Sequence, residues 1–271
     1  MFEHALSKHL SLDRTLRVLV VGAGGTGSKV VVGLKNLHLA LRAFGRPGLH
    51  VTLADGDIVS EANLARQAFY PSDLGRNKAH VLIHRLNLSC GLDWNAHPEH
   101  LDRNARFTRE RPQLLVSCVD SKEARATVEY LTDLHEVLYI CDFGNTDRRG
   151  QVVLGQPLNR YTPRSRERLR TAFELFPELT DTVLPEDDAP SCSALESLLK
   201  QDLFVNDQLV VSGLNVLWQL LRFGSIGHHG AFVDVASGAV QPLRVDPDLW
   251  RTLRRQNTRH LARKRMNYHA H

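Results

Sequence analysis

The sequence predicts an α/β protein built on a doubly wound, mostly parallel sheet that is continued by an antiparallel C-terminal part. Three observations predict it. Short β-branched runs alternate with longer helical stretches over the first 145 residues, the pattern of parallel strands joined by helices. A glycine-rich turn follows the first of those runs and leads directly into a helix. From residue 151 onward the apolar runs are short, and two of them flank a Ser-Gly turn, as antiparallel strands do.

Each element has its own reason. Residues 17–22 are apolar and β-branched, suited to a central strand buried on both faces. A helix at 26–41 opens behind the glycines, and a second strand at 50–54 ends on an aspartate. A helix at 76–90, a short strand near 94–97, a strand at 113–118, a helix at 121–132 and a strand at 136–141 follow. The antiparallel part begins with a strand at 151–154 and closes with a hairpin, 231–235 and 240–245, across Ser237 and Gly238. Between them, residues 157–190 form a long connection rich in arginine, proline and acids, and its last stretch, LPEDDAP, is unsuited to a packed element. So long a connection in a compact domain is functional or disordered. Residues 203–221 read as a buried helix.

The turn GAGGTG carries the first chemistry. Gly22 permits the tight turn, Gly24 lets backbone approach a phosphate, and Gly27 allows close packing of helix on strand. Gly25 adds one more position without a side chain beside the ligand. The helix behind them aims its positive end at the same place. Asp55, at the end of the second strand, is placed to accept hydrogen bonds from ribose hydroxyls. This much is a Rossmann-like nucleotide pocket. Residues 55–79, DGDIVSEANLARQAFYPSDLGRNKA, add Arg66 and Lys78 to it. Two fixed cations beyond a helix N-terminus suit a triphosphate better than the pyrophosphate of a dinucleotide.

GAGGTG, then DGDIVSEANLARQ, then DLGRNKA resembles the ubiquitin-activating-type adenylyltransferases, which include ThiF, MoeB and HesA. SCVDS at 117–121, FGNTDRRGQVVLG at 143–155 and the stretch at 190–221 continue the resemblance, which covers about residues 15–245. Within the superfamily the chain is most similar to the ThiF-type member of the PRTRC cassette, carried on plasmids and integrated elements beside a ParB-like gene. The resemblance implies an adenylation domain at 1–247, with its nucleotide-binding part at about 15–145 and a crossover loop at about 157–190 above the substrate's C-terminal tail. Residues 248–271 then form a basic tail.

The implied reaction is attack by a C-terminal carboxylate on the α-phosphate of ATP, giving an acyl-adenylate and pyrophosphate. Neither reactant has to lose a proton, so positioning and electrostatics carry the catalysis. By resemblance, Lys78 and Arg66 hold phosphates, Asp120 holds Mg²⁺ directly or through water, and Asn63 and Gln67 orient phosphate or carboxylate. Asp120 also fits a plainer role as the N-cap of the helix that follows it. Cys192 stands where the family takes part in thioester or sulfur-transfer chemistry, at a helix start that would favour the thiolate; a bystander cysteine fits equally. Cys118 and Cys141 end apolar strands and read as core residues, and Cys90 as packed. Family members often carry an N-terminal arginine that reaches the partner subunit's ATP. This N-terminus lacks that segment, with Arg14 a weakly placed substitute, so a homodimer is left open.

Composition narrows the rest. The chain has 271 residues, 42% of them hydrophobic and 24% charged, the balance of a water-soluble globular protein. No apolar run reaches the length of a membrane span and no cleavable leader is written at the N-terminus, so a cytoplasmic location is expected. Four cysteines without a CxxC exclude a zinc knuckle. The formal net charge is +4, yet residues 249–271 hold seven cations and no acid, which leaves the rest at −3. That tail suits a nucleic acid or an acidic partner, or is a docked helix with a solvated face. The expected partner of the active site is a small ubiquitin-like protein. Two alternatives stand beside this expectation: an NAD-dependent oxidoreductase, and a non-catalytic ATP-binding module that docks on DNA or on a ParB-like protein.

Overall fold

The computed structural model describes residues 2–107, 111–184 and 202–269. The chain opens with β1 (His4–Ala5), then enters the central sheet with β2 (Leu16–Val21), whose apolar residues are almost all buried. The helix α1 (Gly27–Ala43), the strand β3 (Leu49–Ala54), the helix α2 (Lys78–Cys90) and the short edge strand β4 (Asn95–His97) follow. The chain then crosses back to β5 (Leu114–Ser117), α3 (Lys122–Leu134) and β6 (Tyr139–Asn145). These five strands pair in parallel in the order β4-β3-β2-β5-β6. The order reverses between β2 and β5, so their C-terminal ends flank a topological switch point, where sheets of this kind bind ligands.

The antiparallel part grows from β6. β7 (Arg149–Gly155) turns back on it, and β9 (His228–Asp234) and β10 (Ala239–Arg244) complete an eight-stranded sheet. The hairpin between β9 and β10 falls where alternation and Ser-Gly chemistry placed it, with Gly238 at a positive φ of 70°. A two-residue strand, β8 (Ser225–Ile226), pairs with β1 and ties the N-terminus to the second half.

Several boundaries differ from the sequence reading: β9 begins at His228, three residues early, and β7 spans Arg149–Gly155. The strand expected at 136–141 is β6 at Tyr139–Asn145. Glu136 holds a positive φ of 50°, so the chain is still turning out of α3 there, and the strand runs on through its polar end because β7 supplies a partner. The connection after β7 is also not bare chain. Ala172–Leu175 forms one helical turn, α4, behind a Thr171–Glu174 capping box, and Pro177–Thr180 adds a 3₁₀ turn. Arg168, buried against Gln156 and Glu174, and the buried Leu169, Phe173 and Leu175 pin this stretch to the core. The end of that connection, LPEDDAP, reaches beyond the described residues.

The long helix α5 (Val205–Phe223) packs against α1 and the sheet. Its Gly213 lies so close to Phe143 and Val152 that a β-carbon there would sit 2.4 Å from the phenyl ring. The chain ends in a further helix, α6 (Pro247–His269). Among the described residues no helix is long and apolar enough to cross a membrane.

Candidate functional site

The glycine turn sits at the switch point. Gly22 has φ of 91°, open to glycine at little cost, and a β-carbon on it would press 2.8 Å from the carbonyl oxygen of Cys118 at the end of β5. A β-carbon on Gly27 would fall 1.9 Å from the carbonyl oxygen of Gly22, so only glycine lets α1 start this close to the strand. At Gly24 the same position opens on empty space, on the side where a ligand would approach. Gly25 lies under Asn206 of α5. Among the described residues the backbone N–H groups of Gly24, Gly25 and Thr26 donate no hydrogen bond. That is the donor-rich helix start a phosphate needs.

Two aspartates end β3, and they divide the work. Asp55 is buried, and its carboxylate accepts from the backbone N–H of Ala23 at 2.5 Å and of Asp57 at 2.8 Å. Burial raises its pKa; those two bonds and nearby Lys78 oppose the shift. Its oxygens thus lock the glycine turn to the strand end. Asp57 is the more exposed of the two: one oxygen meets Lys78 Nζ at 2.7 Å, the other His100 Nε2 at 3.4 Å. Lys78 begins α2 and is itself buried, so it holds one charge at a fixed place. Asn77 caps that helix by accepting from the N–H of His80, and its amide reaches back to the carbonyls of Asp55 and Asp57.

The segment from Asn63 to Ala68 lies against the first turn of α1, where Ser28 Oγ accepts from the N–H of Ala68 at 3.1 Å. Asn63 spends its side-chain oxygen on Ser60, capping a short 3₁₀ turn. Gln67 Oε1 is buried with no hydrogen-bond partner among the described residues. Arg66 is half-buried, and loss of solvent holds its guanidinium below its ordinary pKa. A desolvated cation and a donor-rich turn fit the charge of a triphosphate, and the buried Gln67 oxygen can accept from a hydroxyl or amino group of a nucleotide.

Asp120 follows β5 and is exposed at the same end of the sheet. It does not cap α3: Ser121 does, accepting from the N–H of Ala124 at 3.1 Å. The Asp120 carboxylate therefore stays clear of the cap and fits a hard cation that takes oxygen ligands. Behind it lies a group the sequence did not signal. Arg125 donates to the carbonyl of Asp120 at 3.0 Å and faces Asp142 at 3.8 Å. Asp142 is 1% exposed and lies beside the Arg125 guanidinium and the Ser117 hydroxyl. Burial raises its pKa and Arg125 opposes the rise.

A second unsignalled group roofs the turn. Asn206, buried at the start of α5, accepts from Thr26 Oγ1 and from the amide of Asn145, both at 2.9 Å, while Lys29 pairs with Asp207. Thr26 thus bonds to a helix 180 residues away instead of capping its own. Burial pushes the Cys118 and Cys141 thiols up, as fits core residues, and Cys90 is partly buried. Cys192 lies outside the described residues. Among the described residues no cluster of three or more His, Cys, Asp or Glu is built to hold a metal. Beside β4 a cleft of about 480 Å³ opens, lined by Asn95, His97, His100 and Phe107 among others, and His100 joins it to Asp57.

The chain is similar to known proteins. Residues 6–144, slightly more than half of the chain, match the ThiF family. Over 120 residues the chain is 32% identical to the adenylyltransferase and sulfurtransferase uba4 of Aspergillus terreus, and equally to that of Aspergillus clavatus. Each match covers 41% of this chain and 22% of the relative, so the chain corresponds to a minor part of those longer proteins. The selenomethionine crystal structure of PaaA shares the fold, at 12% identity and a TM-score of 0.55, over 86% of this chain and 65% of that one.

Proposed function

Because the chain belongs to the ThiF family, we propose that it uses ATP to adenylate the C-terminal carboxylate of a small ubiquitin-like or sulfur-carrier-like protein. A carboxylate oxygen forms a bond to the α-phosphorus, the bond from that phosphorus to the bridging oxygen breaks, and pyrophosphate leaves. The observation that carries this reading is the set of groups gathered at the strand ends: the N–H groups of Gly24 to Thr26, which donate no hydrogen bond among the described residues, the fixed cation of Lys78, and the exposed carboxylate of Asp120, which does not cap α3. The uba4 relatives bear the name adenylyltransferase, which points the same way.

In this scheme the turn's N–H groups receive phosphate oxygens. Lys78 and Arg66 balance their charge, and Lys78 exchanges its partner Asp57 for phosphate. Gln67 and Asn63 orient phosphate or the incoming carboxylate. Asp57, more open than Asp55, joins it as an acceptor for ribose hydroxyls. Asp120 would hold Mg²⁺, which would supply the remaining charge neutralisation. Two like-charged reactants then meet in a site that already carries the opposing charge, which is the source of the rate. The oxidoreductase alternative would share Asp55 but has no use for the paired cations of Arg66 and Lys78.

Further steps rest on the resemblance. Residues 1–247 act as the adenylating unit in the cytoplasm. The cassette's own ubiquitin-like protein is the substrate, and Cys192 captures the acyl group or passes on sulfur. ATP–pyrophosphate exchange, run with and without that protein, tests the scheme. Exchange that appears only when the carrier and Mg²⁺ are both present is expected. No exchange under any condition, with ATP still bound, would leave a nucleotide-binding module instead.

A further inference from the structure

The terminal helix α6 has two faces of opposite character. Trp250, Leu253, Asn257 and Leu261 face inward: Trp250 and Leu261 are buried, and Asn257 donates to the carbonyl of Leu175 at 2.9 Å. Arg265 joins this side through two bonds to the buried Asp181, at 3.0 and 2.7 Å. The opposite side carries Arg251, Arg255, Arg259 and Arg263, all exposed. Their spacing of four residues sets them in one ridge, each about 6 Å further along the helix. Arg254 and Lys264 flank it. Only Arg251 has an acidic neighbour, Asp248 at 3.2 Å; the other three form no ion pair among the described residues.

Such a ridge is costly for a helix by itself. Like charges at this spacing destabilise by a few tenths of a kcal/mol per pair. A solvated face normally intersperses acids, and residues 249–269 contain none. The charge also extends beyond the helix. Burial, and then Arg168, Arg254 and Arg164, hold the Arg170 guanidinium below its ordinary pKa, with Glu174 opposing, which sets Arg170 near Arg254 at the flank of the ridge.

We propose that this ridge is a docking surface for the phosphate backbone of a nucleic acid. Two features favour that partner over an acidic protein. Protein interfaces need an apolar or aromatic centre, and between Arg251 and Arg263 the exposed residues beside the arginines are two threonines, a glutamine, a histidine and an alanine, with no large apolar side chain among them. Nucleic-acid interfaces are polar and strongly positive, and guanidinium forks match phosphate oxygens. The evenly stepped charge suits a polymer of evenly stepped charge. Contacts of this kind position a chain without reading its sequence.

Fluorescence anisotropy of the full chain with a labelled 30-nucleotide strand and a 30-base-pair duplex tests the proposal. Four phosphate contacts should lower affinity on the order of 10²-fold between 50 and 200 mM salt. The triple variant R255E/R259E/R263E should lose at least about tenfold at 50 mM and flatten that salt dependence. K8E/R42E/R103E, with the same change in net charge but scattered positions, should keep both. The neutral pair R259A/R263A, which leaves the packed face untouched, guards against a folding defect and should fall in between. Equal loss in the ridge and scattered variants would overturn the proposal, as would wild-type binding that is absent or insensitive to salt. Displacement of the strand by poly-glutamate at equal charge would also overturn it, and would point to an acidic protein. None of these outcomes depends on adenylation.

Discussion

At the scale of single residues, the site was legible wherever chemistry and sequence spacing coincide. The glycine turn follows β2 and Asp120 follows β5, the two strands that flank the switch point, and Lys78 reaches Asp57 beyond the end of β3. What sequence could not show is how neighbours divide a task. Asp55 and Asp57 look alike on paper, yet one is consumed by the backbone and the other is half open. Asn206, Asn145 and Asp142 matter through partners far along the chain, and no local pattern marks them. Lys78→Ala and Asp120→Ala are expected to lower the pyrophosphate-exchange rate on the order of 10²-fold or more. Circular dichroism should show Asp120→Ala folded like the parent, since its side chain is exposed. A retained rate in both variants would remove these residues from the site. A pH effect comes from elsewhere. His229 is fully buried, its Nδ1 lies 2.7 Å from the carbonyl of Leu154, and burial lowers its pKa to about 4. The folded chain therefore keeps this ring neutral while the unfolded chain protonates it near 6.5. The stability it contributes is complete above that value and is lost as pH falls toward 4, about 3 kcal/mol over the window. Denaturant titrations across that range should show a shallower loss in His229→Gln; identical slopes would refute the assignment.

At the scale of elements, strands and helices with strong periodicity were legible and short irregular ones were not. β1 and β8 have two residues each, too few for alternation to show. β6 was displaced because its start is set by a backbone turn at Glu136 and its end by pairing with β7, neither of which is a side-chain pattern. The terminal helix was ambiguous because its charge is conspicuous and its apolar residues are few. The structure shows it docked through those few. Trp250→Ala should therefore cost about 3 kcal/mol or more in denaturant unfolding, by the usual loss for a buried tryptophan. Arg259→Ala, on the outer face, should stay within about 0.5 kcal/mol. Similar values for the two would mean the helix is not anchored by its inner face.

At the scale of the whole molecule, alternation of strands and helices foretold the parallel half, while its strand order, β4-β3-β2-β5-β6, is set by pairings the sequence does not state. The second half owes its form to pairings between distant strands, which a sequence leaves open. For the chemistry, Cys192→Ala should retain carrier-dependent pyrophosphate exchange and lose any covalent acyl or sulfur adduct, read by intact-protein mass spectrometry. Loss of exchange in a folded variant would move the thiol into the first half-reaction, where a carboxylate attacking phosphorus has no use for it. The roof over the glycine turn has a consequence for how this protein comes into being. Every phosphate-binding residue proposed here has been synthesised by residue 120, but Thr26 finds Asn206 only some 180 residues after its own synthesis. A nascent chain halted before α5 would carry the full set of binding residues with the turn unbraced. Nucleotide capture should accordingly begin late in translation, and a fragment ending at residue 156 should bind ATP far more weakly than the finished chain.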